Sequence, residues 1–431
     1  MQLKAFMRGA AAVAASASAL ALTFGAAVPA QAATTTITWL TDSGPAPTKL
    51  AKQIVADFQK ANPTIKVTVR TRPGGAEADN LVKTKLATGT MEDVFNYNSG
   101  SLLSAINPAR TLVDLSKESF WNNVYPSFKP AVTVAGKQYG SPWGTAMGGG
   151  IYYNVSVLQK AGVSGTPKTW AAFIDAAKKV KASGVDAICG TFADSWTGQL
   201  LLLSDYYNVQ LTNKNFAADY TANKAKYAYV PAALAGFNKL EETHKLGLYN
   251  SDAATSKYSD AGAKIGNGKC GFYPMLTFFT NDIPADLRNN VGFMAQPGTS
   301  ASTVGLTTWM PSGMYVAKNT KKLAAAKKFV AFVASKAGTD SFVKANGYSG
   351  PFLTKDQSAA PANVPLPTKH LSLLIKGKSA PALEYISPIK GPNLPNITVQ
   401  VLTGQISGKQ GAALYDQDVV AQAQQLGLKG W

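Results

Sequence analysis

Two short runs in this 431-residue sequence have the spacing of phosphate-binding loops. Gly266-Asn267-Gly268-Lys269-Cys270-Gly271 matches G-x-G-x-x-G letter for letter. That fingerprint cradles a pyrophosphate only when it follows a strand and opens a helix. Here it precedes a β-like segment, so a turn is expected and no dinucleotide cofactor. Gly404-Gln405-Ile406-Ser407-Gly408-Lys409-Gln410 resembles a nucleotide loop but is one residue short and ends in Gln, without the Ser or Thr that reaches Mg²⁺. His244 and His370 stand alone, and no nucleophile elbow or H-E-x-x-H run occurs. Two histidines and two cysteines are too few for a zinc-finger array or an iron–sulfur protein. No metal site, no cofactor and no enzymatic activity are expected. Paired carboxylates, as in a secreted polysaccharide-active enzyme, are the one catalytic arrangement left open.

What remains is chemistry suited to holding a ligand. Asp42 ends the run Thr36-Ile37-Thr38-Trp39-Leu40, which reads as a strand, and Asn96, Asn98 and Ser99 end the strand-like Val94-Phe95-Asn96-Tyr97. Between them, Leu50, Ile54 and Phe58 recur at i, i+4, i+8 and predict a helix stopped by Asn62-Pro63. Ile65, Val67 and Val69 then alternate as a second strand. Strand, helix, strand is a βαβ unit, and an open parallel sheet binds ligands beyond the carboxyl ends of its strands. Asp42, Asn96, Asn98 and Ser99 are therefore the polar candidates.

Further along, Gly136-Lys137 turns a hairpin, and a flexible Gly148-Gly149-Gly150 leads into the strand Ile151-Tyr152-Tyr153-Asn154. A helix capped by Thr169 buries Trp170, Phe173, Ile174 and Ala177. Asp186-Ala187-Ile188-Cys189 and Met314-Tyr315-Val316-Ala317 read as strands, and Leu323, Ala326, Val330 and Val333 stripe the helix behind the second. A chain of this length carries two domains more readily than one.

Lys4 and Arg8, an apolar run from Ala10 to about Val28 and the triplet Ala30-Gln31-Ala32 form an export leader, with cleavage expected after Ala32. An uncleaved anchor is the alternative. Removing 32 residues leaves 399 and, with Lys4 and Arg8 gone, lowers the net charge from +18 to +16. The first cysteine is Cys189, far from the cleavage site, so no lipid anchor is expected. That favours a periplasm over free secretion. In an oxidising compartment Cys189 and Cys270 are expected to form a disulfide, the alternative being two separate buried thiols. The lysines are dispersed, as in Lys168, Lys178, Lys179 and Lys181, so solvated helix faces and no nucleic-acid partner are expected. An anionic ligand is a further implication of the charge.

Several of these runs together resemble one family, the solute-binding proteins of carbohydrate ABC importers, in the branch that includes maltose-binding protein. The marks are Ile37-Thr38-Trp39 before a polar loop, Glu92-Asp93-Val94, and Gly136 to Trp143 running into Ile151-Tyr152-Tyr153-Asn154. Pro167-Lys168-Thr169-Trp170, Gly268-Lys269-Cys270-Gly271 and Gly347-Tyr348-Ser349-Gly350-Pro351 complete the series. The resemblance implies an α/β fold of two lobes with three crossings and a ligand cleft between them. The crossings are expected near 142–150, 293–297 and 345–351. Lobe one would hold 33–142 and 298–345, lobe two 143–297 and 346–431. It also implies an exported, monomeric protein that captures a sugar or oligosaccharide by hinge closure and delivers it to the permease subunits of an ABC importer. A polyamine or ferric-ion receptor is the alternative.

Sugars present apolar C–H faces edged with hydroxyls, so flat aromatics are the other half of the expected site. Trp143 at the first crossing is the leading stacking candidate, with a core role as its alternative. Trp196 sits at another strand end. Phe278 matches the family's ligand aromatic, with Phe279 as the other choice, and Trp309 stands where the family carries a glycine-rich loop. Trp39, Trp121 and Trp170 are expected to be structural.

Overall fold

The structure is a computed structural model in which residues 33–431 are described, so the expected leader and its expected cleavage site lie outside the described residues. In chain order its strands are β1 (Thr35–Asp42), β2 (Ile65–Arg72), β3 (Val94–Tyr97), β4 (Thr133–Val134), β5 (Lys137–Gln138), β6 (Gly140–Trp143), β7 (Met147–Asn154), β8 (Asp186–Ile188), β9 (Cys270–Leu276), β10 (Val291–Ala295), β11 (Leu306–Trp309), β12 (Ser312–Val316) and β13 (Ser379–Pro381). They form two principal sheets, each the centre of an α/β lobe.

The first sheet has the order β2-β1-β3-β12-β6. β1 runs parallel to β2 from Thr35↔Ile65 to Asp42↔Arg72, and parallel to β3 at Trp39↔Val94. The helix Pro45–Ala61 joins the first two strands and buries Leu50, Ala51, Ile54 and Phe58 on one stripe. Asn62 ends it, its backbone N–H and side-chain amide both donating to the Phe58 carbonyl. Phe58 meets Phe329 edge-on at 4.9 Å, and Trp39, wholly buried, meets Phe329 at 5.3 Å. Emptying the Phe58 site would cost on the order of 3–5 kcal/mol.

The second sheet follows the path β13-β11-β7-β9-β8, with β10 also on β7. β7 is long enough to pair with β11 at Gly149↔Thr307 and with β10 at Asn154↔Val291 along one edge, and with β9 along the other. The helix Trp170–Ala182, capped by the Thr169 hydroxyl, packs Phe173 on Phe272 at 5.0 Å. Helices Pro231–Lys245, Leu394–Leu402 and Gly408–Gln425 close this core. Trp170 sits at its rim, half-buried, with its indole N–H donating to Glu242. Cys189 and Cys270 are joined as a disulfide between the end of β8 and the start of β9, with Cα atoms 5.6 Å apart.

Three expectations need correction. Gly148–Gly150 is not a flexible joint but part of β7, where Gly149 lies directly beneath the Trp309 ring and leaves no room for a Cβ. The second passage between sheets is Met310-Pro311, not 293–297. After β10 the chain stays with the second sheet because β11 also pairs with β7, so residues 298–309 belong to that lobe. The third passage is later than 345–351. Residues 352–358 still line the first lobe, through Tyr125 N–H to Leu353 O (2.9 Å), Lys355 N–H to Asn123 O (2.6 Å) and Ser358 N–H to Thr339 Oγ1 (2.8 Å). The helix Leu366–Lys376 then packs on the second sheet, so the crossing falls in 359–365.

The run 266–271 closes the helix Tyr258–Gly266 and enters β9, the reverse of the strand-to-helix order a dinucleotide needs. Ser407, within the second loop-like run, caps the helix Gly408–Gln425 in a capping box with Gln410.

Candidate ligand-binding site

Parallel pairing puts the carboxyl ends of β1, β2 and β3 on one edge, and a connected polar network forms there. Arg72 Nη2 donates to Asp42 Oδ1 (2.8 Å) and to the Asn96 carbonyl (2.9 Å). Asn96 Nδ2 donates to Asp42 Oδ2 (2.8 Å), and its Oδ1 accepts the indole N–H of Trp39 (3.3 Å). The guanidinium lies over the Tyr97 ring, 5.8 Å from its centroid. Arg72 is 6% exposed and the Asp42 side chain 43%, so a half-open carboxylate is held by buried donors. Asp79 lies beside Tyr97; burial raises its pKa against the opposing pull of Tyr97, Lys83, Lys390 and Arg72.

The second lobe contributes an aromatic cluster. Trp196 sits in the turn Ser195–Gln199 beyond β8, 4.9 Å from Tyr258 and 6.2 Å from Phe278 by ring centroids. Tyr258 is fixed at both ends: its N–H donates to Asp194 Oδ2 (2.8 Å) and its hydroxyl to Asp282 Oδ2 (2.5 Å). Burial first, then Asp282, holds that hydroxyl well above the ordinary tyrosine pKa.

The lobes meet at two glycines. A Cβ on Gly75, just past β2, would come to 3.0 Å of Trp196 Cδ1. One on Gly100, just past β3, would come to 2.5 Å of the Glu384 carbonyl and 3.0 Å of the Tyr385 ring. Tyr385 Oη also donates to the carbonyl of Met310, in the second crossing (3.2 Å). Glu384 pairs with Lys390 at 3.2 Å, both side chains nearly buried. Lys83 acts on Asp79 of its own helix and on Asp418 of the other lobe.

The sequence candidates separate under this geometry. Asp42 and Asn96 lie in the network, Asn96 buried as the support between Trp39 and Asp42. Ser99 is buried and donates to the Pro311 carbonyl (2.8 Å), so it braces the second crossing; Asn98 is exposed, and its carbonyl accepts from Tyr315. Trp196 and Phe278 share the aromatic cluster, whereas Phe279 is wholly buried. Trp309 is 4% exposed with its ring against Gly149, which removes it from the stacking candidates. Trp143 is wedged edge-on between Trp39 (5.3 Å) and Phe342 (4.6 Å), so part of its ring serves the first core and the rest is accessible. Arg72, Tyr97, Tyr258 and Tyr385 were not singled out from the sequence. For Arg72 a signal existed, since it ends the alternating second strand at the position paired with Asp42.

The motif series is matched on a larger scale by the family model for bacterial extracellular solute-binding proteins, which covers residues 40–340. The chain belongs to that family. Among similar relatives is a multiple sugar-binding protein of Streptococcus mutans, 24% identical over 307 residues, covering 69% of this chain and 70% of the relative. An sn-glycerol-3-phosphate-binding periplasmic protein of Shigella flexneri is 25% identical over 418 residues, covering 89% of this chain and 90% of the relative. Among solved structures, a chitin oligosaccharide binding protein superposes with a TM-score of 0.79 at 19% identity, covering 90% of this chain and 99% of that one. A solute-binding protein in complex with raffinose gives 0.71 at 22% identity, covering 91% and 100%. At such identities these structures establish the fold: two α/β lobes with a cleft between them. Among the described residues no helix is long and apolar enough to cross a membrane.

Proposed function

We propose that this protein captures a sugar or oligosaccharide between its lobes and delivers it to the membrane permease of an ABC importer. The observation that carries the reading is the pairing of surfaces across the cleft. A cluster of partly exposed rings, Trp196, Tyr258 and Phe278, lies on the second lobe, and the Asp42–Arg72–Asn96 network lies at the strand ends of the first. Rings offer area to sugar C–H faces, and the network offers directed donors and acceptors to hydroxyls. The Streptococcus relative's name supports the same ligand class. Capture without catalysis, a monomer acting in the periplasm and a leader removed after Ala32 complete the proposal.

Closure supplies the signal to the permease. A ligand shifts an open–closed equilibrium only as far as it binds the closed form better, so contacts to both lobes are required. The test is a thermal-shift screen of the exported protein over galactose, raffinose, stachyose, chito- and xylo-oligosaccharides, galacturonate, glycerol 3-phosphate, spermidine and ferric ion. Binding to the folded state raises the melting temperature in proportion to ln(1 + [L]/Kd). A rise with a saccharide is expected. A rise with spermidine or iron alone would overturn the reading.

A further inference from the structure

The interactions that fix Tyr258 do not end at Asp282. Arg288, half-buried in the turn Arg288–Asn290 before β10, stands close to the same carboxylate: burial lowers its pKa and Asp282 opposes that shift. All three of its guanidinium nitrogens are spent on backbone carbonyls, Nε on Ile283, Nη2 on Asn281 and Nη1 on Asn346, each at 3.0 Å. Asn281 closes the turn Thr277–Asn281 that carries Phe278, and with Ile283 it flanks Asp282 in the second lobe. Asn346 belongs to the first lobe. It is the last residue of the helix Lys336–Asn346, and its side chain donates to the Ala46 carbonyl (3.3 Å) at the start of the helix that follows β1.

A cation suits that position, because the last carbonyls of a helix lack partners within it and form its negative end. The guanidinium fork is flat and rigid, so the bonds to Asn281 and Ile283 aim its third nitrogen at Asn346. Gly262 lets the helix Tyr258–Gly266 pack on the Asp282 carbonyl with no room for a Cβ. Tyr258, Asp282 and Arg288 are thus braced on one packed segment, and that segment reaches across to the first lobe.

We propose that Arg288 is a positioning residue that couples the ring cluster of the second lobe to the end of helix Lys336–Asn346 in the first, so that ring occupancy and lobe seating are set together. Asp282 has two claimants, the Tyr258 hydroxyl and the guanidinium. While Tyr258 holds the carboxylate, Arg288 serves the carbonyls of both lobes. A ligand that seats on the rings without moving Tyr258 keeps the contact, and one that displaces Tyr258 frees Asp282 to draw the guanidinium off Asn346. This rests on the saccharide reading above and adds the route by which binding at the rings reaches the other lobe. Such a route is a coupling free energy, which a double-mutant cycle measures.

The test is hydrogen–deuterium exchange and calorimetric titration of wild type, Tyr258→Phe, Arg288→Lys and the double variant. The titrant is the neutral saccharide with the largest thermal shift. Without ligand, Tyr258→Phe is expected to speed exchange in peptides covering 343–347 by about fivefold or more, although the lost hydroxyl bonds only within the second lobe. Arg288→Lys keeps the charge without the fork and is expected to speed exchange at both 277–283 and 343–347; it carries the test if Tyr258→Phe misfolds. Each single variant is expected to bind about tenfold more weakly, and the double variant about twentyfold, well short of the hundredfold that independent losses would give. Unchanged exchange at 343–347 in either single variant overturns the proposal, as does a fully additive loss in the double variant. A wild type that binds no saccharide overturns the earlier reading instead, and the ligand-free exchange still decides the coupling.

Discussion

Gly100→Ala separates a contact between the lobes from ordinary backbone strain. Gly100 has φ 74° and ψ −139°, a region that L-residues occupy at a cost of about 1–3 kcal/mol. That cost falls on open and closed forms alike and appears as a lower melting temperature. The added methyl carbon would also sit 2.5 Å from the Glu384 carbonyl oxygen, against roughly 3.3 Å for an ordinary carbon–oxygen contact, and 3.0 Å from the Tyr385 ring. Glu384 and Tyr385 belong to the other lobe, so relieving the overlap means holding the lobes apart. Overpacking of this kind costs about 1–3 kcal/mol, and to the extent that closure over a ligand tightens this contact the cost converts to a loss of up to roughly 5- to 150-fold in saccharide affinity. Gly89→Ala is the control: φ is 67°, but nothing lies within 4 Å of its added Cβ. Both variants should melt lower in the absence of ligand, and only Gly100→Ala should bind more weakly by calorimetry. Equal affinities for the two variants would refute the prediction that closure over a ligand tightens the contact of the 383–385 turn on Gly100.

Three further outcomes follow from the second lobe. Asp205 and Lys239 form a buried ion pair at 2.5 Å, so Asp205→Ala should lose about 3–5 kcal/mol in denaturant unfolding by stranding the ammonium. Burial lowers the pKa of His370, whose neutral Nδ1 accepts the Phe293 N–H (3.1 Å), so the unfolded chain takes up this proton first. Its stabilisation is complete above about pH 6.5 and is lost as pH falls toward the lower folded-state value; His370→Gln should flatten that part of the stability–pH curve. Reducing Cys189–Cys270, which closes a separation of 81 residues, should cost about 4 kcal/mol on the chain-entropy model, read as a fall in melting temperature with dithiothreitol.

The regular elements were legible because their periodicity is local. Leu50, Ile54 and Phe58 share one stripe wherever the helix packs, and a strand such as β1 alternates whatever pairs with it. The crossings were not legible, because they depend on which strand finds which edge. Nothing near Gly298 shows that β11 will join β10 along the single long edge of β7. The same limit applies to the site. Asp42 and Asn96 were visible as strand-end polar residues, but the partner that organises them, Arg72, emerges only from the β1–β2 register. Trp309 and Gly149 show the reverse error: a tryptophan and a glycine run read separately as ligand ring and flexible joint are one packing contact. Tyr385 lies almost three hundred residues beyond Gly100, and no local pattern links them.

Small-angle scattering of the exported protein, titrated with the saccharide that stabilises it most, tests the central claim most directly. Capture by closure over contacts from both lobes predicts a radius of gyration that falls to a plateau at stoichiometric ligand, with Gly100→Ala needing more ligand to reach it. Tight binding with an unchanged scattering profile would contradict the account.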